Sequence, residues 1–278
     1  MTIAPSQSPS QSAINAEPAV LYAAQGAVAV LTLNRPQALN SFSRQMHHDL
    51  WAALDRAEAD LSVRALVITG AGRGFCAGAD LSEFDFSPGP NRRERADPGP
   101  LIDQAFNPTA RRLLALRMPT VAAVNGVAAG AGASLAMTCD LAIAAPQASF
   151  IQAFSKIGLV PDAGGSWLLV QKVGLARAMG LALTGDKLSA AQAHEWGMVW
   201  ALADDPLAAA LALAQRLAAM PTRALVATRH LLLGGINRTL DRQLDEERDQ
   251  QSALAQTHDY FEGVTAFLEK RPADFKGE

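Results

Sequence analysis

The stretch TVAAVNGVAAGAGASLAMTCDLAIAA, residues 120 to 145, reads in order as strand, glycine-rich loop, helix and strand. TVAAVNG (120 to 126) and LAIAA (141 to 145) are apolar runs without polar alternation, as in strands covered on both faces. ASLAMTC, from Ala133, has the small and straight-chain composition of a helix. Strand, helix and strand at this spacing form a right-handed crossover, so the two strands are expected to be parallel.

Working outward, AVAVLTL (27 to 33) and ALVIT (65 to 69) are runs of the same kind. A helix is expected from Ser43 through SRQMHHDLWAALDRAEAD, with Met46, Leu50 and Leu54 on one face, and another from Pro108 through PTARRLLALR. After about residue 165 only GMVWALA (197 to 203) still reads as a strand, and helical segments such as LAAALALAQRLAAM, TRALVATRHLLL and DYFEGVTAFLEKR dominate. The expected architecture is an α/β core over 19 to 205 followed by a helical region over 206 to 278. Residues 82 to 100, SEFDFSPGPNRRERADPGP, look like a loosely ordered insertion. Its Arg92, Arg93 and Arg95 are offset by Glu94 and Asp97, which favours a solvated loop over a phosphate site.

The chain has 278 residues, 49% of them hydrophobic and 18% charged, enough to bury a large core. A formal net charge of -3 gives no overall attraction to nucleic acid or to an anionic membrane. Cys76 and Cys139 are too few for a disulfide framework and lack metal or redox spacing, which suggests a reducing compartment, the cytoplasm. Residues 1 to 18, rich in Ser, Gln and Pro, are expected to be a disordered tail, being neither a signal nor an anchor. No apolar run reaches the roughly 18 residues of a membrane span. His47 and His48 are adjacent and face different ways on a helix, and His194, His230 and His258 have no ligand spacing, so no metal is expected.

Two glycine-rich loops follow strands: TGAGRGFCAGADL (69 to 81) and NGVAAGAGASLAM (125 to 137). Neither is a dinucleotide fingerprint, because Gly70, Gly72 and Gly74 are spaced GxGxG and Leu135 stands where a third glycine would follow Gly130 and Gly132. GxxxxGK[ST] is absent as well. Such glycines either form tight turns and close packing, or bring two sets of backbone N–H groups up to a ligand oxygen. A second ambiguity lies in KIGLVPDAGGSWLL (156 to 169), where Asp162 is either the cap of a following helix or a base in an apolar pocket.

FCAGADL, NGVAAGAGASLAMTCDLAIAA, GLVPDAGGS and LTGDKLSAAQAHEWGMV together resemble the enoyl-CoA hydratase/isomerase superfamily, from about residue 19 to the C-terminus. The resemblance implies a crotonase fold, with repeated ββα units forming the core sheet and C-terminal helices that build trimers or dimers of trimers. It implies a CoA thioester as substrate, no further cofactor, and an oxyanion hole made by the N–H groups of Ala79 and Ala131. Substrate contacts would come from Gln37, Ala38 and Leu39 in NRPQALN, from Ala77, Gly78 and Asp80 in the first loop, and from Gly132, Ser134 and Phe154.

Family hydratases add water with two glutamates, and the matching positions here hold Ser134 and Phe154. Neither can act as an acid or base. Asp162 matches the single aspartate of some family isomerases, and a lone base suits a proton shuttle. The likeness is greatest to the ring-1,2-epoxyphenylacetyl-CoA isomerases, which implies an acyl-CoA isomerase with Phe154 as a wall beside the acyl group. Val160 and Phe154 are expected to desolvate Asp162. A hydratase or hydrolase using water activated by Asp162 alone is the alternative. An RNA-binding role, known in the superfamily, is disfavoured by the absence of a basic stripe.

Overall fold

A computed structural model describes residues 17–278; residues 1–16 of the expected tail lie outside the described residues. The main sheet has six strands in the order β1 (Val20–Gln25), β2 (Val28–Leu33), β3 (Ala65–Gly70), β5 (Thr120–Val124), β7 (Leu141–Ala144) and β10 (Ala201–Leu202). The β1 and β2 strands pair antiparallel and the remaining neighbours are parallel, as the crossover spacing requires.

A second sheet follows the order β4 (Gly74–Cys76), β6 (Val127–Ala129), β8 (Ser149–Ile151) and β9 (Lys187–Ser189). Each main strand of the centre thus feeds a short strand of this sheet: β3 feeds β4, β5 feeds β6 and β7 feeds β8. These are the repeated ββ units of the expected fold, and sequence reading alone found none of the short strands.

The main sheet is covered on both faces, which is why its central strands show no alternation. Leu66 and Ile68 of β3 belong to the larger core together with Met46, Leu50 and Leu54 of helix α1 (Arg44–Ala59). That helix begins where expected, with Ser43 as its cap: the Met46 N–H donates to Ser43 Oγ at 3.2 Å. Ala65 and Val67 face the other way, into a smaller cluster with Ala210, Ala214 and Ala218. Those alanines lie on a helix beyond residue 205, so the second face of the core sheet is completed by the C-terminal helical region.

The remaining helices are α2 (Arg92–Arg95), α3 (Gly99–Leu101), α4 (Asn107–Ala115), α5 (Ala131–Thr138), α6 (Gly165–Val173), α7 (Leu175–Thr184), α8 (Ala190–Glu195), α9 (Pro206–Ala218), α10 (Thr222–Gly235), α11 (Leu240–Leu254) and α12 (His258–Glu269). Docking of α10 rests on Arg229, whose guanidinium donates to the carbonyls of Leu116 and Met118 and pairs with Asp140. The 82 to 100 segment carries the short α2 turn, and an Arg95–Asp85 ion pair ties it to itself. Arg238, in the turn before α11, pairs with Glu246 of that helix at 3.7 Å. Among the described residues no helix is long and apolar enough to cross a membrane.

Candidate active site

The first glycine loop leaves β4 and runs beside Phe42. The Phe42 N–H donates to Gly78 O at 2.7 Å and the Asp80 N–H to Phe42 O at 2.9 Å. In a parallel bridge of this kind the residue between them, Ala79, turns its own N–H and C=O the opposite way. Ala79 therefore presents its amide to the cavity that it lines. Gly78 makes this course possible, with φ +95, and a Cβ added there would lie 2.8 Å from Ala129 O and 3.4 Å from Ala131 N.

The second loop ends at Gly130, and α5 begins at Ala131, two residues earlier than the sequence suggested. As the first helical residue, Ala131 has no intrahelical acceptor for its N–H, and the helix dipole adds partial positive charge there. The helix end sits hard against the first loop: a Cβ on Gly132 would fall 2.1 Å from Cys76 O. Two amides from two chain segments thus meet at one place, and two well-aimed donors at a developing oxyanion strengthen as its charge grows.

A cavity of about 200 Å³ opens there, lined among others by Ala77, Gly78, Ala79, Ala131, Phe154 and Asp162. Of the residues expected at the site, these six converge. Asp80 instead pairs with Arg35 at 2.8 Å and caps the turn after it through Ser82. Gln37, Ala38 and Leu39 form a turn over Pro36–Ala38 outside this cavity, although Leu39 O accepts from the Ala77 N–H at 2.9 Å and so braces the first loop. Gly132 and Ser134 lie behind the wall rather than in it, and Ser134 is fully buried.

The remaining wall was not legible as such in the sequence. It comes from Leu81, Phe84, Pro98, Leu101, Ile102 and Phe106, in and beside the insertion, and from Ile157 and Leu159. Composition hinted at this through Phe84 and Phe86, the two aromatic residues of a stretch otherwise rich in polar residues and proline, of which Phe84 lines the cavity.

Asp162 does not cap α6. Gly164, at φ +80, occupies the cap position, and α6 receives no side-chain cap bond. The Asp162 carbonyl accepts the Gly165 N–H at 2.7 Å, while Oδ1 is buried without a hydrogen-bond partner among the described residues. Burial pushes the carboxyl up from 3.8 to about 6, partly offset by its own backbone N–H. Val160, expected to help, is 78% exposed, and the apolar surroundings come from Phe154 and its cavity neighbours instead.

Other titratable groups near the site are not placed for chemistry. Cys76 lies in β4, fully buried, and burial drives its thiol up to about 12, so it offers no thiolate. His48 is exposed, whereas His47 is buried: it stacks on Phe42 at 4.7 Å, meets the Phe106 ring edge-on at 4.5 Å and places Nδ1 3.4 Å from Thr109 Oγ1. Its Nε2 is buried without a partner among the described residues, and burial lowers its pKa from 6.5 to about 4. Among the described residues no three His, Cys, Asp or Glu side chains gather as a metal site requires. A larger cavity of about 330 Å³ lies between α5, α6 and α10, and it contains none of the expected site residues.

Comparison with known proteins shows the family. The family model described as enoyl-CoA hydratase/isomerase matches residues 23–278. The chain is 51% identical over 254 residues to the 1,2-epoxyphenylacetyl-CoA isomerase of Escherichia coli (strain K12), covering 90% of this chain and 95% of that protein. It is 37% identical to the 2,3-dehydroadipyl-CoA hydratase of the same organism, over 91% of this chain and 96% of the relative. The crystal structure of an enoyl-CoA hydratase from Polaromonas sp. JS666 superposes with a TM-score of 0.83 at 32% identity, covering 92% of this chain and 99% of that one. Paired amides over an apolar pocket and a match along nearly the whole chain place this protein in the enoyl-CoA hydratase/isomerase family.

Proposed function

We propose that the protein is an acyl-CoA isomerase in which Asp162 is the only acid–base group and the N–H groups of Ala79 and Ala131 hold the thioester oxygen. The observation that carries this reading is the Asp162 carboxylate on the wall of the cavity those amides line, with Oδ1 buried and without a hydrogen-bond partner among the described residues. Asp162 takes a proton from an acyl carbon, the electron pair moves onto the thioester oxygen between the two amides, and the same carboxyl returns the proton to a different carbon. Atoms and charge balance without water, metal or redox cofactor. With Ser134 and Phe154 at the hydratase acid positions, a second group to activate water is missing.

The finer substrate is a ring-epoxidised phenylacetyl-CoA converted to its oxepin isomer, with double-bond shifts in enoyl-CoA as related chemistry. Supporting it are the name of the 51% identical relative and a cavity that brings Phe84, Phe106 and Phe154 around the acyl position. Exposed Phe261, Phe267 and Leu268 on α12 support assembly as a homotrimer or dimer of trimers. Two buried, unpaired thiols fit a cytoplasmic protein.

Asp162→Asn tests the reading. Turnover of epoxyphenylacetyl-CoA and 3-enoyl-CoA should fall by about 10²–10⁴-fold while thioester binding persists. Turnover at the parent rate removes Asp162 as the base. A product of unchanged mass with shifted absorbance marks isomerisation, whereas oxygen incorporated from labelled water marks the hydratase or hydrolase alternative.

A further inference from the structure

Ser134 occupies the position where family hydratases carry a glutamate, yet it does not reach the cavity. Its Oγ lies 3.1 Å from Asp162 O and 3.4 Å from Gly130 O. A hydroxyl has one hydrogen to give, and the closer acceptor belongs to the residue proposed as the base.

The turn it touches is unusual. Ala163, next after Asp162, sits at φ +51, a backbone position that non-glycine residues rarely hold and that strains the chain. Two donors converge on the carbonyl before it: the Gly165 N–H at 2.7 Å from the start of α6, and Ser134 Oγ from α5. The α5 helix also carries Ala131 at its first position. Space around the hydroxyl is tight, since a Cβ on Gly165 would come within 2.5 Å of Ser134 Oγ. A glutamate at 134 would have to displace that contact.

We infer that Ser134 is a positioning residue, whose hydroxyl ties the turn bearing Asp162 to the helix bearing the Ala131 N–H and so fixes the separation of base and oxyanion donor. This rests on the proposed function. It assigns to Ser134 a role behind the cavity wall, in place of substrate contact.

The test uses Ser134→Ala, which deletes the donor, and Ser134→Cys, of similar volume but a much weaker donor. Turnover of trans-3-hexenoyl-CoA is measured alongside its binding by calorimetry, with folding checked by circular dichroism, and Asp162→Asn is run in parallel. Misplacing a reacting group by about 1 Å can cost up to 10²-fold, so kcat should fall about 10–10²-fold in each folded variant with the dissociation constant within about twofold of the parent. Parent-like kcat in either folded Ala or Cys variant overturns the inference. If Asp162→Asn is then inactive, the proposed base survives and only the role of Ser134 is lost; if Asp162→Asn keeps the parent rate, the base and the inference fall together.

Discussion

Gly132→Ala is the sharpest test of the paired-amide site, because it adds one methyl group at a place where the backbone of another strand already stands. The new Cβ would lie 2.1 Å from Cys76 O and 2.7 Å from Cys76 C, against an ordinary contact of 3.4 Å or more. The shortfall of about 1.3 Å from those two distances must be met by moving α5 away from β4, since both atoms nearest the methyl are backbone. Ala131 is the preceding residue and moves with it, carrying one of the two amides more than an ångström off target. Loss of one oxyanion donor lowers kcat by about 10²–10³-fold, or about 2.7–4 kcal/mol of transition-state stabilisation. Overpacking takes a further 1–3 kcal/mol or so from stability. The assay is single-turnover isomerisation of a 3-enoyl-CoA by protein confirmed as folded. Gly180→Ala serves as the comparison: Gly180 lies within α7 with nothing within 4 Å of an added Cβ, so that variant should keep its kcat and gain about 0.5–1 kcal/mol of stability. A folded Gly132→Ala enzyme with parent kcat would refute the close approach of α5 to the first loop as the source of the oxyanion site.

Three further outcomes follow from buried titratable groups. With its carboxyl near pH 6, Asp162 acts as a base only above that value, so kcat/KM should fall with a limb near pH 6 on acidification, and a flat profile from pH 5 to 8 would count against it. The same shift acts on stability: the folded pKa is raised above the unfolded 3.8, so the unfolded chain releases its proton first and stability declines as pH rises from about 4 to about 6. Asp162→Asn removes this decline, and urea unfolding at pH 8 should show it more stable than the parent by up to about 3 kcal/mol. His47 works in the opposite sense, because its pKa is lowered to about 4 and the unfolded chain binds the extra proton; stability gained between about pH 4 and 6.5 should disappear in His47→Phe, and an unchanged pH profile in that variant would show that the imidazole is not buried as neutral.

The elements that determine the fold were largely visible in the order of residues. The β2, β5, β7 and β10 strands lie within the expected apolar runs and β3 passes its run by one residue, Gly70, because two-sided burial leaves a local signature of unbroken aliphatic residues. The α1 helix declared itself by the Ser43 cap and by the spacing of Met46, Leu50 and Leu54. The second sheet did not, since β4, β6, β8 and β9 are three residues each, too short for any periodicity, and β1 is an exposed edge whose Leu21 is 42% accessible.

The site divides along the same line. Sequence by itself supplied the two glycine loops, the absence of acids at 134 and 154, and an aspartate with two incompatible readings. Tertiary structure removed one of those readings: Gly164 takes the cap position, while Asp162 lies on the wall of a cavity lined by the start of α5 and by residues in and beside the insertion, with Oδ1 buried. A cap is a matter of neighbours along the chain, which residue order encodes directly. Desolvation, and the meeting of Ala79 with Ala131 some fifty residues later, depend on how remote segments pack against one another, and that is set by the close approach of strands and helices rather than by any one of them.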